Sequence, residues 1–368
     1  MTADEEYLVG FSTVLGVGPA RLNLLIKHYG SAQIAWEAPR EELSKIGLPK
    51  DALQSFLDTR DKLNVHQYSL EIQKRGVIIL TINDPNYPKP LKNIADPPFI
   101  LYLKGQIPLE KLNEFLGPRC IGVVGTRKMT AYGEEVTRSL VSGLVATGFT
   151  IVSGMALGVD GVAHGSALNA GGRTVAVLGA GAEIIYPLAH RELYNRILDS
   201  GNLIISEVAP DKGVNKGIFP ARNRIISGLS QAVLVTEGAI DSGSLITARC
   251  ALEQGREVFA VPGPINSAMA EGTNYLIKQG AKLVSNVDDI LESLGYETRT
   301  VNGQRKNPRE VRSDIPDEQA IINLLVNEAL DFDELVRRTG KKAAELSSLL
   351  AVMEIKKLIV NDRLTYSL

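Results

Sequence analysis

The sequence predicts an α/β fold: a doubly wound parallel sheet, preceded by a helical module and followed by a small helix-and-strand domain. Three features lead there. From Cys120 onward, short apolar runs alternate with amphipathic stretches, the rhythm of parallel strands joined by helices. Residues 6–64 carry only the helical period, broken by glycine turns. Residues 299–312 lose all periodicity before a final stretch, Asp314 to Leu368. At 368 residues the chain has room for two or three domains of roughly 100–200 residues each.

Composition narrows the function. A formal net charge of −2 excludes a globally basic nucleic-acid protein but leaves room for a local basic groove. Cys120 and Cys250 are too few for a disulfide framework or a zinc site, so a reduced compartment is expected. The start, Met-Thr-Ala-Asp-Glu-Glu, lacks the order of a signal peptide, and no run approaches ~18 apolar residues. A cytoplasmic protein is expected, with no membrane partner, metal or cofactor.

Taken in order, Leu15-Gly-Val-Gly-Pro-Ala-Arg21 leads into a helix through His28, with Gly30 at its end. Ile46-Gly-Leu-Pro-Lys50 leads likewise into Asp51-Ala-Leu-Gln-Ser-Phe-Leu57. Two helix–glycine-turn–helix units in tandem resemble helix-hairpin-helix modules, whose turn N–H groups can hold a DNA phosphate. A helical cap that binds nothing is the alternative, stronger for the second copy, which lacks the full Gly-x-Gly turn.

Residues 65–118 give strands at Val77–Thr81 and Phe99–Leu103 around a Pro-rich loop, Asp84–Pro90. Buried strands are then expected at Ile121–Gly125, Thr150–Ser153, Thr174–Leu178, Leu203–Ser206, Ala232–Thr236, Val258–Val261 and Lys282–Ser285. An apolar segment, Ile265 to Ile277, lies beside the last two. It carries few charges, so this C-terminal edge, Leu276 included, is expected to form a two-fold dimer interface.

Residues 299–312 hold five positive charges against one negative and read as a basic linker. The remainder gives three short helices, with Asp331-Phe-Asp-Glu334 capping the second, then strands from Ile355–Val360 and Leu364–Leu368. That order looks like a winged helix. Its recognition helix offers only Lys341 and Lys342 against Glu345, which argues against DNA reading. The expected domains are 1–64, 65–296, a linker 297–313, and 314–368.

Ligands of such a sheet lie at the carboxyl ends of its strands. There the sequence delivers Gly125-Thr-Arg127-Lys128, then Ser153-Gly154 through Asp160 to His164, then Gly179-Ala-Gly181 and Tyr186-Pro187. Arg127, two residues beyond a strand glycine, suits a phosphate. Asp160 is expected to cap the next helix, with His164 a packing residue held by it rather than a catalyst.

Further along, Lys212, Lys216, Arg222 and Arg224 face only Asp211, with Phe219 among them to stack a base. Ser242-Gly243-Ser244 opens a helix from about Leu245 to Glu253 and offers turn N–H groups. The candidate DNA-binding set is Gly125, Arg127, Lys128, Ser153, Gly154, Lys212, Lys216, Phe219, Arg222, Asn223, Arg224, Ser242, Gly243 and Ser244. A P-loop, a Gly-x-Ser-x-Gly elbow, a His-Glu-x-x-His pair and the Gly-x-Gly-x-x-Gly fingerprint after the first core strand are all absent from the sequence. Ser153, Asp160 and His164 sit too close in sequence for a triad. The site reads as one for binding, without an evident nucleophile or base.

Together, Gly125–Arg127, Ser153–His164, Phe219–Ser227 and Ser242–Gly263 resemble the DNA-processing protein A family, also called DprA or Smf, from about Tyr7 to the last strand. The resemblance implies an extended Rossmann-like core that binds single-stranded DNA, forms a homodimer and loads RecA in natural transformation and DNA recombination, without enzymatic activity or a small-molecule substrate. It also implies a sterile-alpha-motif-like N-terminal module and a C-terminal winged helix. On it, Arg127 matches the key DNA-binding arginine, and Ser153, Gly154, Phe219, Arg222, Asn223 and Arg224 fall in pocket-lining motifs. Lys216 or Lys212 matches a basic contact. Tyr186-Pro-Leu-Ala-His190 departs, since relatives often carry a polar residue at Leu188 and Asn at His190. A rival reading, a nucleotide-cleaving enzyme of the lysine-decarboxylase-like group, would need a Pro-Gly-Gly-x-Gly-Thr motif, and Glu237–Thr247 lacks it.

Overall fold

Continuous apolar runs bury both faces of a strand, and in the computed structural model they assemble into one sheet. The structure describes residues 1–213, 218–297, 313, 315–326, 329–356, 358–362 and 365–367. Its strands are β1 (Ile78–Thr81), β2 (Ile100–Lys104), β3 (Cys120–Val124), β4 (Thr150–Ser153), β5 (Thr174–Leu178), β6 (Leu203–Ser206), β7 (Ala232–Val235), β8 (Glu257–Ala260) and β9 (Lys282–Leu283). They lie in the order β1-β2-β6-β5-β4-β3-β7-β8-β9. From β6 to β9 every pairing is parallel, as expected. The β1–β2 hairpin extends the same sheet, antiparallel to β6.

Alternation along each strand decides which layer it feeds. Ile121 and Val123 of β3 join Ile151, Leu234 and Phe259 on one face. Cys120 and Val124 join Val152, Val233 and Val235 on the other. Leu276, expected on an exposed edge, is only 7% exposed and packs into this second cluster. Every third or fourth position of the helix Glu271–Lys278 faces its own sheet, and Leu276 is one of them. The residues that do face outward there are Ile265, Tyr275 and Leu283.

The N-terminal helices turn on two glycines of the same conformation. Gly16 and Gly47 both have φ of 86°, in the left-handed region that only glycine enters cheaply, and each precedes a new helix, Pro19–Tyr29 or Lys50–Arg60. Phe11, Trp36 and Phe56 form the buried centre, with ring centroids 5.0–5.2 Å apart. The expected boundary at 64 cuts through this core. Asn64 caps the helix Val65–Lys74, whose Val65 and Ile72 share one cluster with Trp36 and with Ile100, Tyr102 and Ile204 of the sheet. The Ser12 and Tyr102 hydroxyls meet at 2.6 Å across that join.

The chain divides into two units, 1–296 and 297–368. In the second, helices Pro316–Leu325, Phe332–Thr339 and Ala343–Ile355 pack Ile321, Leu325, Leu335, Leu346, Leu350 and Met353 together. A three-stranded sheet, ordered β10-β12-β11, joins β10 (Leu330–Asp331), β11 (Val360–Asp362) and β12 (Thr365–Ser367). This is the winged-helix arrangement. Asp331 caps the second helix by accepting from the Glu334 N–H at 2.7 Å. The strand expected from Ile355 begins instead at Val360, because the third helix runs on through Ile355. Lys341 is paired with Asp317 at 2.8 Å. The basic stretch 299–312 lies outside the described residues. Among the described residues no helix is long and apolar enough to cross a membrane.

Candidate nucleic-acid interface

The chain leaves the sheet centre in opposite directions after β3 and after β7, so their following loops diverge and open a crevice at the strands' carboxyl ends. A cavity of about 570 Å³ fills it. Thr126, Arg127 and Lys128 line it from the β3 loop, Asp241 to Ser244 from the β7 loop, and Arg222 and Asn223 from the helix Ile218–Leu229.

The β3 loop is fastened before it presents anything. The Thr126 N–H donates to the Glu237 carbonyl at 2.7 Å, and the Thr126 carbonyl accepts from the Val159 N–H at 3.2 Å. Thr130 caps the helix Ala131–Ala146 and gives its own N–H and hydroxyl to the Glu237 carboxylate, at 2.8 and 2.6 Å. Glu237 is buried at the end of β7 and had no distinguishing motif in the sequence. Held this way, Arg127 and Lys128 are the exposed cations at the switch point.

Arg222, by contrast, is buried. Its Nη1 donates to the Gly154 and Val177 carbonyls at the ends of β4 and β5. Asp160 is buried beside it and accepts from the Gly154 and Ala156 N–H groups at 3.1 and 3.3 Å. It does not cap the following helix, whose N-cap is Gly158. Burial raises the Asp160 carboxyl above its ordinary range while Arg222 pulls it back; burial likewise lowers Arg222 while Asp160 supports it. The two charges answer each other inside the protein.

Several other expected contacts are also committed to the fold. The Ser153 hydroxyl donates to the Val123 carbonyl at 2.6 Å and is fully buried. Arg224 Nη2 donates to both Glu207 carboxylate oxygens, at 2.7 and 2.8 Å, and Arg224 Nε pairs with Asp96 at 2.9 Å. Its charge is matched there, which draws it out of the phosphate set. Lys212 is exposed but lines separate cavities against the N-terminal helices. His164 is held by Thr174, not by Asp160: its Nδ1 and the Thr174 hydroxyl are 2.7 Å apart. Lys216 and the Phe219 side chain lie outside the described residues.

The third wall is the start of the helix Gly243–Glu253, two residues earlier than expected. Ser242 accepts from the Ser244 N–H at 3.3 Å, and the two hydroxyls meet at 2.8 Å. The Asn223 amide donates to the Gly243 carbonyl at 3.3 Å and ties this end to the preceding helix. An eleven-residue helix adds partial positive charge to the cavity it faces. The crevice therefore combines two exposed cations, a helix N-terminus, the exposed Asp241 and the buried Asp160, whose carboxylate is already engaged by N–H groups. That combination suits an anion.

Comparison with known proteins places the chain in context. Residues 78–295 match the family model described as DNA recombination-mediator protein A, and residues 305–361 match the DprA winged helix domain. The chain is 40% identical over 306 residues to Protein Smf of Synechocystis, covering 83% of this chain and 76% of that one. It superposes on the X-ray structure of DNA processing protein A (DprA) from Streptococcus pneumoniae with a TM-score of 0.65 and 34% identity, covering 81% of this chain and 99% of that chain. DNA processing protein A from Helicobacter pylori, described for its single-stranded DNA binding mode, matches with a TM-score of 0.51 and 31% identity over 60% of this chain and 97% of that one.

Proposed function

The chain belongs to the DNA recombination-mediator protein A family, and on that premise we propose that it binds single-stranded DNA in the crevice between β3 and β7. The observation that carries this reading is the placement of Arg127 and Lys128. Both are exposed, on a loop clamped by Glu237, opposite the N-terminal end of the helix Gly243–Glu253. A single strand can lay its phosphates along such a groove and keep its bases accessible. The single-strand binding described for the Helicobacter pylori relative supports the same reading.

The role is non-enzymatic: a cytoplasmic protein that passes incoming single strands to RecA in transformation and recombination, working as a homodimer. Asp160 and Glu237 favour binding over catalysis, because both carboxylates are engaged by backbone N–H groups and neither is poised as a general base. Two copies on one strand would raise the effective concentration of each pocket without any new contact.

The test is a titration of labelled oligothymidylate against duplex of equal length. Tighter, salt-sensitive binding of the single strand is expected. Equal affinity for duplex contradicts the reading. Release of free base from AMP would point to the nucleotide-cleaving rival.

A further inference from the structure

Beyond the crevice, the loops after β4 and β5 form a rim whose backbone is held from several sides. Met155 sits at φ 61°, and its carbonyl accepts from His190 Nδ1–H at 3.0 Å, which joins the two loops. The Ala180 carbonyl accepts from the Ser206 hydroxyl at 2.6 Å, and the Ala182 carbonyl from the Tyr194 hydroxyl at 2.7 Å. On this fixed rim stand three large apolar side chains in solvent: Leu157 at 45% exposure, Tyr186 at 49% and Leu188 at 69%.

Leu157 and Tyr186 line a small cavity of about 60 Å³ that shares Arg127 and Arg222 with the main crevice. Among the described residues, the only charged groups lining it are those two arginines. An apolar protein segment seated here would press against guanidinium groups. A ligand that joins a flat apolar ring to an anion meets both features, and a nucleotide is that ligand. The cavity has room for a few waters but not for a base, so the ring lies across its mouth.

We propose that Tyr186, with Leu157 on the same cavity wall, is a base-stacking step beside Arg127, so that one nucleotide is gripped by phosphate and base together. This rests on the reading of the crevice as a single-stranded DNA site. It assigns the stacking role to an aromatic on the β5 loop, within reach of the same cavity wall as Arg127.

The experiment measures binding of oligothymidylate and of an abasic oligonucleotide of equal length to the full chain and to Tyr186→Ala, Tyr186→Phe and Arg127→Ala. Tyr186→Ala should weaken oligothymidylate binding by about 5- to 150-fold, the range of one lost stacking contact, and leave the abasic affinity unchanged. Tyr186→Phe should bind both as the unaltered protein does. Unchanged oligothymidylate binding by Tyr186→Ala overturns the proposal, and so does an equal loss on both ligands. Arg127→Ala should lose on both. If it loses on neither, the crevice reading itself fails, and this step falls with it.

Discussion

Arg222 lies directly against Gly154: its Nη1 donates to the Gly154 carbonyl, and a Cβ on that glycine would fall inside the guanidinium. The same nitrogen takes the Val177 carbonyl, so one buried arginine closes the ends of β4 and β5. Arg222 therefore shapes the floor on which a ligand rests.

Arg222→Ala should accordingly cost stability, by about 3 kcal/mol, because it leaves Asp160 buried without its countercharge and two carbonyls unpaired. Urea unfolding measures it. Arg127→Ala, at an exposed position, should unfold like the unaltered chain. Equal stability of Arg222→Ala would show that the arginine is dispensable to the floor.

Much of the sheet could be read from sequence, since a buried strand needs only a short apolar run between turn residues. Thr150–Ser153, Thr174–Leu178 and Leu203–Ser206 stand where the runs put them. The edge to which the β1–β2 hairpin attaches could not be read, because pairing with β6 depends on distant segments. The site divides on the same line. Arg127 follows a strand glycine and was visible. The commitments of Arg224 to Asp96, of Thr130 to Glu237 and of His164 to Thr174 join different elements of the fold, so spacing alone could not reveal them. Leu276 misled because an apolar helix face looks the same whether it covers its own sheet or another molecule.

His164 predicts how stability depends on acidity. The Thr174 hydroxyl donates to the Ile151 carbonyl at 2.9 Å, so it accepts from His164 Nδ1–H, and the buried Nε2 carries a lone pair with no hydrogen-bond partner among the described residues. Burial lowers the His164 pKa to about 3, with His190 and Arg222 adding to the effect. A depressed histidine pKa leaves stability intact above its ordinary value of 6.5 and removes it as pH falls from there toward about 3. Unfolding free energy should drop by up to about 1.4 kcal/mol per pH unit in that window. Denaturant unfolding of the chain and of His164→Gln from neutral to mildly acid pH reads this. An identical slope in both would refute it.

A second copy should seat on the β9 edge. Ile265 at 98% exposure, Tyr275 at 46% and Leu283 at 50% project there, whereas Leu276 does not. Light scattering should find the full chain dimeric at tens of micromolar and Ile265→Arg/Leu283→Arg monomeric with unchanged unfolding. Leu276→Arg should instead lower stability, because it forces a charge into the core. A monomeric unaltered chain, or a charged pair that still dimerises, would rule out this edge.

Salt dependence of oligothymidylate binding tests the crevice most directly, measured on the full chain, Arg127→Ala and Arg224→Met. With Arg222 and Arg224 committed to the fold, about two to three phosphates remain to be neutralised, a log–log slope of roughly −1.4 to −2. Arg127→Ala should weaken binding at least about tenfold and reduce the slope by about 0.7, while Arg224→Met should leave the slope as it was. Unchanged affinity and slope in Arg127→Ala, with the loss appearing in Arg224→Met, would place the strand somewhere other than the β3–β7 crevice.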